Sequence, residues 1–189
     1  MTETPFAQPA EPIELELITS NRRLEEILEE QLGHETYAID TEFANQRTYY
    51  PRLSLVQIAW PDRVVLIDPF MVDCRLLEPL LAGPALAIAH SAQNDLEVLD
   101  HSLGIRPSRL FDTQIAALLL NSEGLSLQHL TSTMLGVTLD KAQQNQDWTR
   151  RPLTERALQY AASDVVYLFE LASRLRASLN ERSRLGAIE

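Results

Sequence analysis

The chain has one cysteine, Cys74, and only six glycines in 189 residues. A single thiol excludes an internal disulfide and fits a reducing compartment. Its setting, M-V-D-C-R-L-L, has no evident histidine partner, which argues against a thiol nucleophile. With glycine so scarce, phosphate-cradling loops are scarce too: G-x-x-x-x-G-K-[ST], G-x-G-x-x-G and G-x-S-x-G are all missing. No apolar run approaches the roughly 18 residues of a membrane span. The start, M-T-E-T-P-F-A-Q-P-A-E-P, lacks both the basic and the apolar regions of a signal peptide. These absences lead to the expectation of a cytoplasmic protein with no membrane partner.

Positive charge is also short, with a net charge of −11. That balance argues against a polyanionic partner, but its distribution weakens the objection. Residues 1–30 hold eight Glu against two Arg, and four carboxylates discussed below contribute another four charges, which leaves a surplus of one. Lys141, Arg150, Arg151 and Arg156 are then available for a phosphate backbone.

Length and a 45% hydrophobic content suit one domain with a sizeable core. Residues 1–12, with three prolines, read as a disordered tail, and residues 13–189 as the folded domain. Glu14–Thr19 alternates as a strand, and Ser20 is placed to cap a helix carrying Leu24, Ile27, Leu28 and Leu32. Thr36–Phe43, Leu53–Trp60 and Arg63–Asp68 read as an antiparallel meander. Beyond it come a helical Leu76–Leu81, a short strand Ala85–His90, a helix Asn94–Leu103 and an extended Leu110–Phe111. Asp112 is placed to cap a helix through Asn121, another begins at Ser126, and one long helix starts at Thr154. A meander followed by β-α alternation implies a mixed sheet with helices on its faces.

What stands out within this frame is four separated carboxylates in apolar settings: Asp40 and Glu42 in Y-A-I-D-T-E-F, Asp95 in Q-N-D-L-E-V-L, Asp164 in Y-A-A-S-D-V-V-Y-L. Strand period puts Asp40 and Glu42 on one face, and helix period puts Tyr160 and Asp164 on one face. Read singly, the first pair is also a solvated strand edge, the second a surface contact, and Asn94 or Asp95 a helix cap with Glu97 supporting the first turn. Gathered by the fold, the four make an oxygen-rich cage for hard divalent cations, Mg²⁺ or Mn²⁺. A glycosidase pair would use two of them and leave the rest and Tyr160 unexplained.

D-x-E, N-D-L-E and Y-x-x-x-D occur in order, each in its own element type. With R-T-Y-Y-P-R-L-S-L-V-Q-I (47–58), L-F-D-T-Q-I-A-A (110–117), G-V-T-L-D-K (136–141) and D-W-T-R-R-P-L-T-E-R-A-L-Q-Y-A-A-S-D-V-V-Y-L (147–168), the chain resembles the ribonuclease D family of 3′–5′ exonucleases, in the subclass with a catalytic tyrosine, over residues 14–178. The resemblance implies a ribonuclease H-like α/β fold: a mixed five-stranded sheet, its first three strands antiparallel, flanked by helices. It implies a two-metal exoribonuclease that acts on single-stranded RNA 3′ ends (tRNA precursors or short RNA) and releases nucleoside 5′-monophosphates. By the same resemblance Asp40 bridges both metals, Glu42 and Asp164 complete the metal that activates water, Asp95 serves the metal beside the leaving oxygen, and Tyr160 aligns the water.

Phe43 is a candidate for stacking on a terminal base, His90 for a phosphate or sugar contact, and Lys141, Arg150 and Arg151 for upstream phosphates. Each also has a plain structural reading, in core, strand end or solvated loop, and Trp148 is read as pinning its loop to the core. The alternatives are the same chemistry on DNA, as in the related Werner-type exonucleases, and a nucleic-acid-binding module with little activity. The helical HRDC domains typical of the family are not expected within this chain.

Overall fold

A computed structural model describes residues 14–44, 50–139, 146–183 and 186. The predicted tail, 1–12, and Lys141 lie outside the described residues.

The strands are β1 (Glu14–Ile18), β2 (Thr36–Ala44), β3 (Arg52–Ala59), β4 (Arg63–Ile67), β5 (Leu86–Ala89) and β6 (Leu110–Asp112). They form one sheet in the order β1-β4-β3-β2-β5-β6. The meander β2-β3-β4 is antiparallel, while β1, β5 and β6 join in parallel. The mixed sheet flanked by helices is as expected, but it has six strands rather than five. All six extended segments read from the sequence pair, and the chain's own first strand, β1, is parallel to β4.

Among the described residues seven α-helices cover the sheet: α1 (Asn21–Gln31), α2 (Glu78–Leu81), α3 (Gln93–Leu103), α4 (Thr113–Leu119), α5 (Leu127–Leu130), α6 (Glu155–Val166) and α7 (Leu168–Glu181). Alternation in the strands splits the interior in two. Tyr37, Ile39, Val56 and Ile58 point toward α1, α2 and α3, and Ala38, Leu55, Ala59 and Leu66 toward α4 to α7.

Caps follow the chemistry of the residues that precede each helix. Ser20, Asp112, Ser126 and Thr154 each accept a backbone N–H from the first turn that follows. Gly104, at φ 71°, closes α3 in a left-handed conformation that a side chain would strain. Asp112 joins two helix starts: besides Gln114 and Ile115 it accepts the N–H groups of Ser91 and Ala92, just before α3.

One helix expected from Thr154 is two. Tyr167, at φ −93° and ψ −4°, separates α6 from α7. The two then take different partners: α6 lies across β2, β3 and β4, and α7 packs on α4 and β5.

Candidate metal centre

Asp40 and Glu42 project from β2 toward α6, and Asp164 faces them from that helix. One carboxylate oxygen from each of the three lies within 4.8 Å of the others. Asp95 arrives from the opposite side of the strand, in the first turn of α3. It is not the cap of that helix, whose cap position is Ala92. Its Oδ1 instead accepts the Thr41 backbone N–H at 3.1 Å and the Thr41 hydroxyl at 2.5 Å. Thr41 lies between Asp40 and Glu42 and points to the other face, so one strand segment presents two carboxylates and anchors a third. Sequence reasoning passed over Thr41, although its place at the centre of D-T-E is the signal that would have found it.

Among the described residues, no lysine, arginine or histidine forms an ion pair with any of the four. The electrostatic consequence is uniform. Burial, then the charges of Asp95, Asp164 and Glu42, push the Asp40 carboxyl well above its ordinary range. Burial, then Asp164 and Asp95, push Glu42 up to about 8. Burial raises Asp164 to about 7 and Asp95 to about 6, the latter against the pull of the Thr41 hydrogen bonds. Four such groups cannot all ionise near neutral pH unless cations accompany them.

Tyr160 stands one turn before Asp164 on α6, half-buried, its ring 6.2 Å from that of Trp148. Trp148 is buried in the α4–α7 core, so it pins the loop before α6. Phe43 is partly buried against the α1–α3 core. His90 directly follows β5, where its Nδ1 is 2.9 Å from the Thr113 hydroxyl and burial lowers its pKa. Neutral and so engaged, it offers no cation to the cluster.

Arg150 is exposed, 3.3 Å from Asp147. Arg151 is not placed to hold a phosphate, because all five of its N–H donors are taken. Nε and Nη2 grip Asp68 at 2.5 and 2.8 Å, Nη1 donates to the carbonyls of Trp148 and Arg150, and Nη2 also reaches that of Ser54. Ser54 is the extra residue of a bulge in β3, opposite the step from Glu42 to Phe43. Arg151 therefore ties the segment leading into α6 to the strands beneath it, and so helps set where Tyr160 and Asp164 stand.

A groove of about 800 Å³ opens elsewhere, on the α1–α3 side, and none of the four carboxylates lines it. There Tyr50 stacks on His101 at 3.9 Å and Arg52 lies over the Phe70 ring at 4.2 Å.

The family model for the 3′–5′ exonuclease domain matches residues 15–180. The chain belongs to the 3′–5′ exonuclease family. Ribonuclease D of Xanthomonas oryzae is 42% identical over 78% of this chain and 42% of its own length. The ribonuclease D of Escherichia coli is 37% identical over 85% of this chain and 44% of its own length. The crystal structure of the latter, described as an exoribonuclease involved in structured RNA processing, superposes with a TM-score of 0.87 at 35% identity over 91% of this chain and 47% of that one. NrnC of Brucella melitensis, solved with bound Mg²⁺ and also bound to pGG, superposes with a TM-score of 0.77 at 27–28% identity, over 93–94% of this chain and 85–87% of its own. The ribonuclease D resemblance and the ribonuclease H-like fold are thereby borne out. The chain spans less than half the length of the curated ribonuclease D relatives it matches. Among the described residues no helix is long and apolar enough to cross a membrane.

Proposed function

We propose that this chain is the catalytic domain of a metal-dependent 3′–5′ exoribonuclease. The observation that carries the reading is the Asp40–Glu42–Asp164 cluster, three half-buried carboxylates whose oxygens lie within 4.8 Å, with no ion-pair partner among the described residues. The donor set fits the group it would hold: all-oxygen, anionic, and spaced for one or two hard cations such as Mg²⁺ or Mn²⁺. Asp40, Glu42 and Asp164 would hold such an ion, and Asp95, already braced by Thr41, would help hold a second. When bound, a pair of such ions supplies a deprotonated water at neutral pH and charge neutralisation on the leaving oxygen.

The side chains account for the rest. An unperturbed phenol titrates near pH 10, which makes Tyr160 a poor base. Its hydroxyl orients the attacking water for in-line approach to the last phosphorus. The water oxygen bonds to phosphorus, the P–O3′ bond breaks, and the 3′-oxygen leaves with a proton from solvent. A nucleoside 5′-monophosphate and a chain one residue shorter result. Single-stranded RNA 3′ ends are the proposed substrate and the cytoplasm the proposed location. The ribonuclease D relatives support the first, and a lone thiol that burial raises to about 12, and so keeps inert, is in keeping with the second.

Digestion of matched 5′-labelled RNA and DNA strands, and of pGG, tests this with Mg²⁺, Mn²⁺ or EDTA beside Asp40→Ala. A metal-dependent ladder shortening RNA from its 3′ end is expected. A ladder on DNA alone would move the substrate to DNA, and activity in EDTA or in the Asp40 variant would end the metal reading.

A further inference from the structure

Gln57 occupies the middle of β3 and is the ladder partner of Asp40 on β2, with Leu66 of β4 on its other side. Residues directly opposed in an antiparallel pair project from the same face, their Cβ atoms about 4.5–5.5 Å apart. The carboxamide therefore lies on the carboxylate side of the sheet. It is 0% exposed, and neither its oxygen nor its nitrogen has a hydrogen-bond partner among the described residues. Its same-face neighbours along β3, Leu55 and Ala59, are apolar and part of the core beneath α6.

Folding gives no reason for a glutamine here. A buried amide with no bonds made is costly, whereas an apolar residue of similar volume would carry no such cost. Among the described residues, Gln31, Tyr37, Trp60, Arg63, Gln146 and Trp148 also carry an unpartnered buried polar atom. None of these six is the ladder partner of a member of the acidic cluster, as Gln57 is of Asp40. Carboxylates that bind metal are themselves hydrogen-bonded, and partners of that kind are what orient ligands at metal sites. An amide suits that task better than a cation. It donates without neutralising the charge that the metal requires, whereas a lysine or arginine would occupy the site itself.

We infer that Gln57 is a positioning residue for Asp40: its Nε2 donates, directly or through one water, to the Asp40 carboxylate in its metal-holding form. This rests on the reading of Asp40 as a metal ligand. It predicts that binding and stability separate on substitution. Gln57→Leu is expected to leave the Tm of the metal-free protein unchanged or higher, yet to weaken Mn²⁺ about tenfold in calorimetry. It should also lower kcat with little change in KM for RNA. Gln57→Met, flexible and of similar volume, serves as the second variant if leucine packs badly, with the same expectations. Asp40→Asn is the control. If Asp40→Asn abolishes Mn²⁺ binding while Gln57→Leu and Gln57→Met bind as the parent does, the positioning role is overturned. A fall in metal-free Tm in both Gln57 variants, with Mn²⁺ affinity intact, overturns it as well and makes Gln57 structural. If Asp40→Asn binds Mn²⁺ like the parent, the metal reading itself fails, and this inference with it.

Discussion

Asp68 and Asp40 are both carboxylates at the sheet, in stretches of β-branched and apolar residues, and they meet opposite fates. Asp68 is 2% exposed and sits in a fork of Arg151. Burial alone would raise it, but the guanidinium and the Phe70 N–H hold it below its ordinary range. Asp112 is likewise satisfied, by four backbone N–H groups. Asp40 has three acidic neighbours, no counter-ion among the described residues, and a carboxyl pushed well upward. An acidic residue in an apolar setting is therefore not in itself a sign of chemistry. The sign is a buried cluster of like charges with no balancing cation among the described residues, since such a cluster is tolerable only if a cation completes it.

The largest effect expected from breaking this contrast is at Asp40. Asp40→Asn should cost on the order of 10³-fold in cleavage rate, because several kcal/mol of charge stabilisation goes with the metals. It should also make the metal-free protein more stable, as one member of a repelling set is removed. Single-turnover assays and thermal unfolding in EDTA measure the two halves. Arg151→Ala should do the reverse to stability. It strands the buried Asp68 charge, and since Arg151 itself is about a quarter exposed the loss is placed at the low end, about 3 kcal/mol, read from urea unfolding. Activity should fall only as far as α6 loosens over β2.

This contrast also marks where the sequence was legible. Alternation placed the β2-β3-β4 meander, and period alone put Asp40 with Glu42 and Tyr160 with Asp164. The break at Tyr167 was not legible, because the apolar stripe runs through it without a proline or glycine. Nor was the pairing of β1 with β4, which a parallel register separates by 49 residues from Glu14 to Arg63. Arg151 was read as a phosphate ligand because nothing local reveals Asp68, 83 residues away. Gln57 in S-L-V-Q-I-A looked like any polar residue on a strand until its neighbour across the ladder was known.

A more gradual effect separates the two regions by pH. Glu42, Asp164 and Asp95 titrate at about 8, 7 and 6 in the fold, against 4.5, 3.8 and 3.8 ordinarily. A raised folded pKa means that the native state holds its protons more tightly than the unfolded chain. The stability this contributes is whole below about pH 4 and is lost as pH climbs through 6 to 8. Asp68, with its lowered pKa, contributes stability that is present above 3.8 and lost only below it. In EDTA, unfolding should therefore become easier from pH 5 to pH 8, by several kcal/mol and with a fall in Tm of many degrees. Mg²⁺ should restore more at pH 8 than at pH 5, since its ligands must be deprotonated. A flat metal-free Tm across that window, measured by scanning calorimetry, would mean that the four carboxylates are not as isolated from cations as the structure has them.

The smallest effect lies at the boundary between holding metal and using it. Tyr160 shares a helix face with Asp164 but contributes no carboxylate, so Tyr160→Phe removes one oxygen and leaves the charge of the cluster untouched. If its hydroxyl orients the water, one hydrogen bond to the reacting species is lost, worth about tenfold in kcat. Metal affinity should not move, because no ligand has changed, and the Trp148 contact survives because the ring does. Calorimetry with Mn²⁺ beside single-turnover cleavage separates the outcomes. Lost affinity would make Tyr160 part of the cage, and an unchanged rate would leave it a packing partner of Trp148. A slower rate at full affinity would show that the one neutral member of the constellation acts on the water and not on the metals.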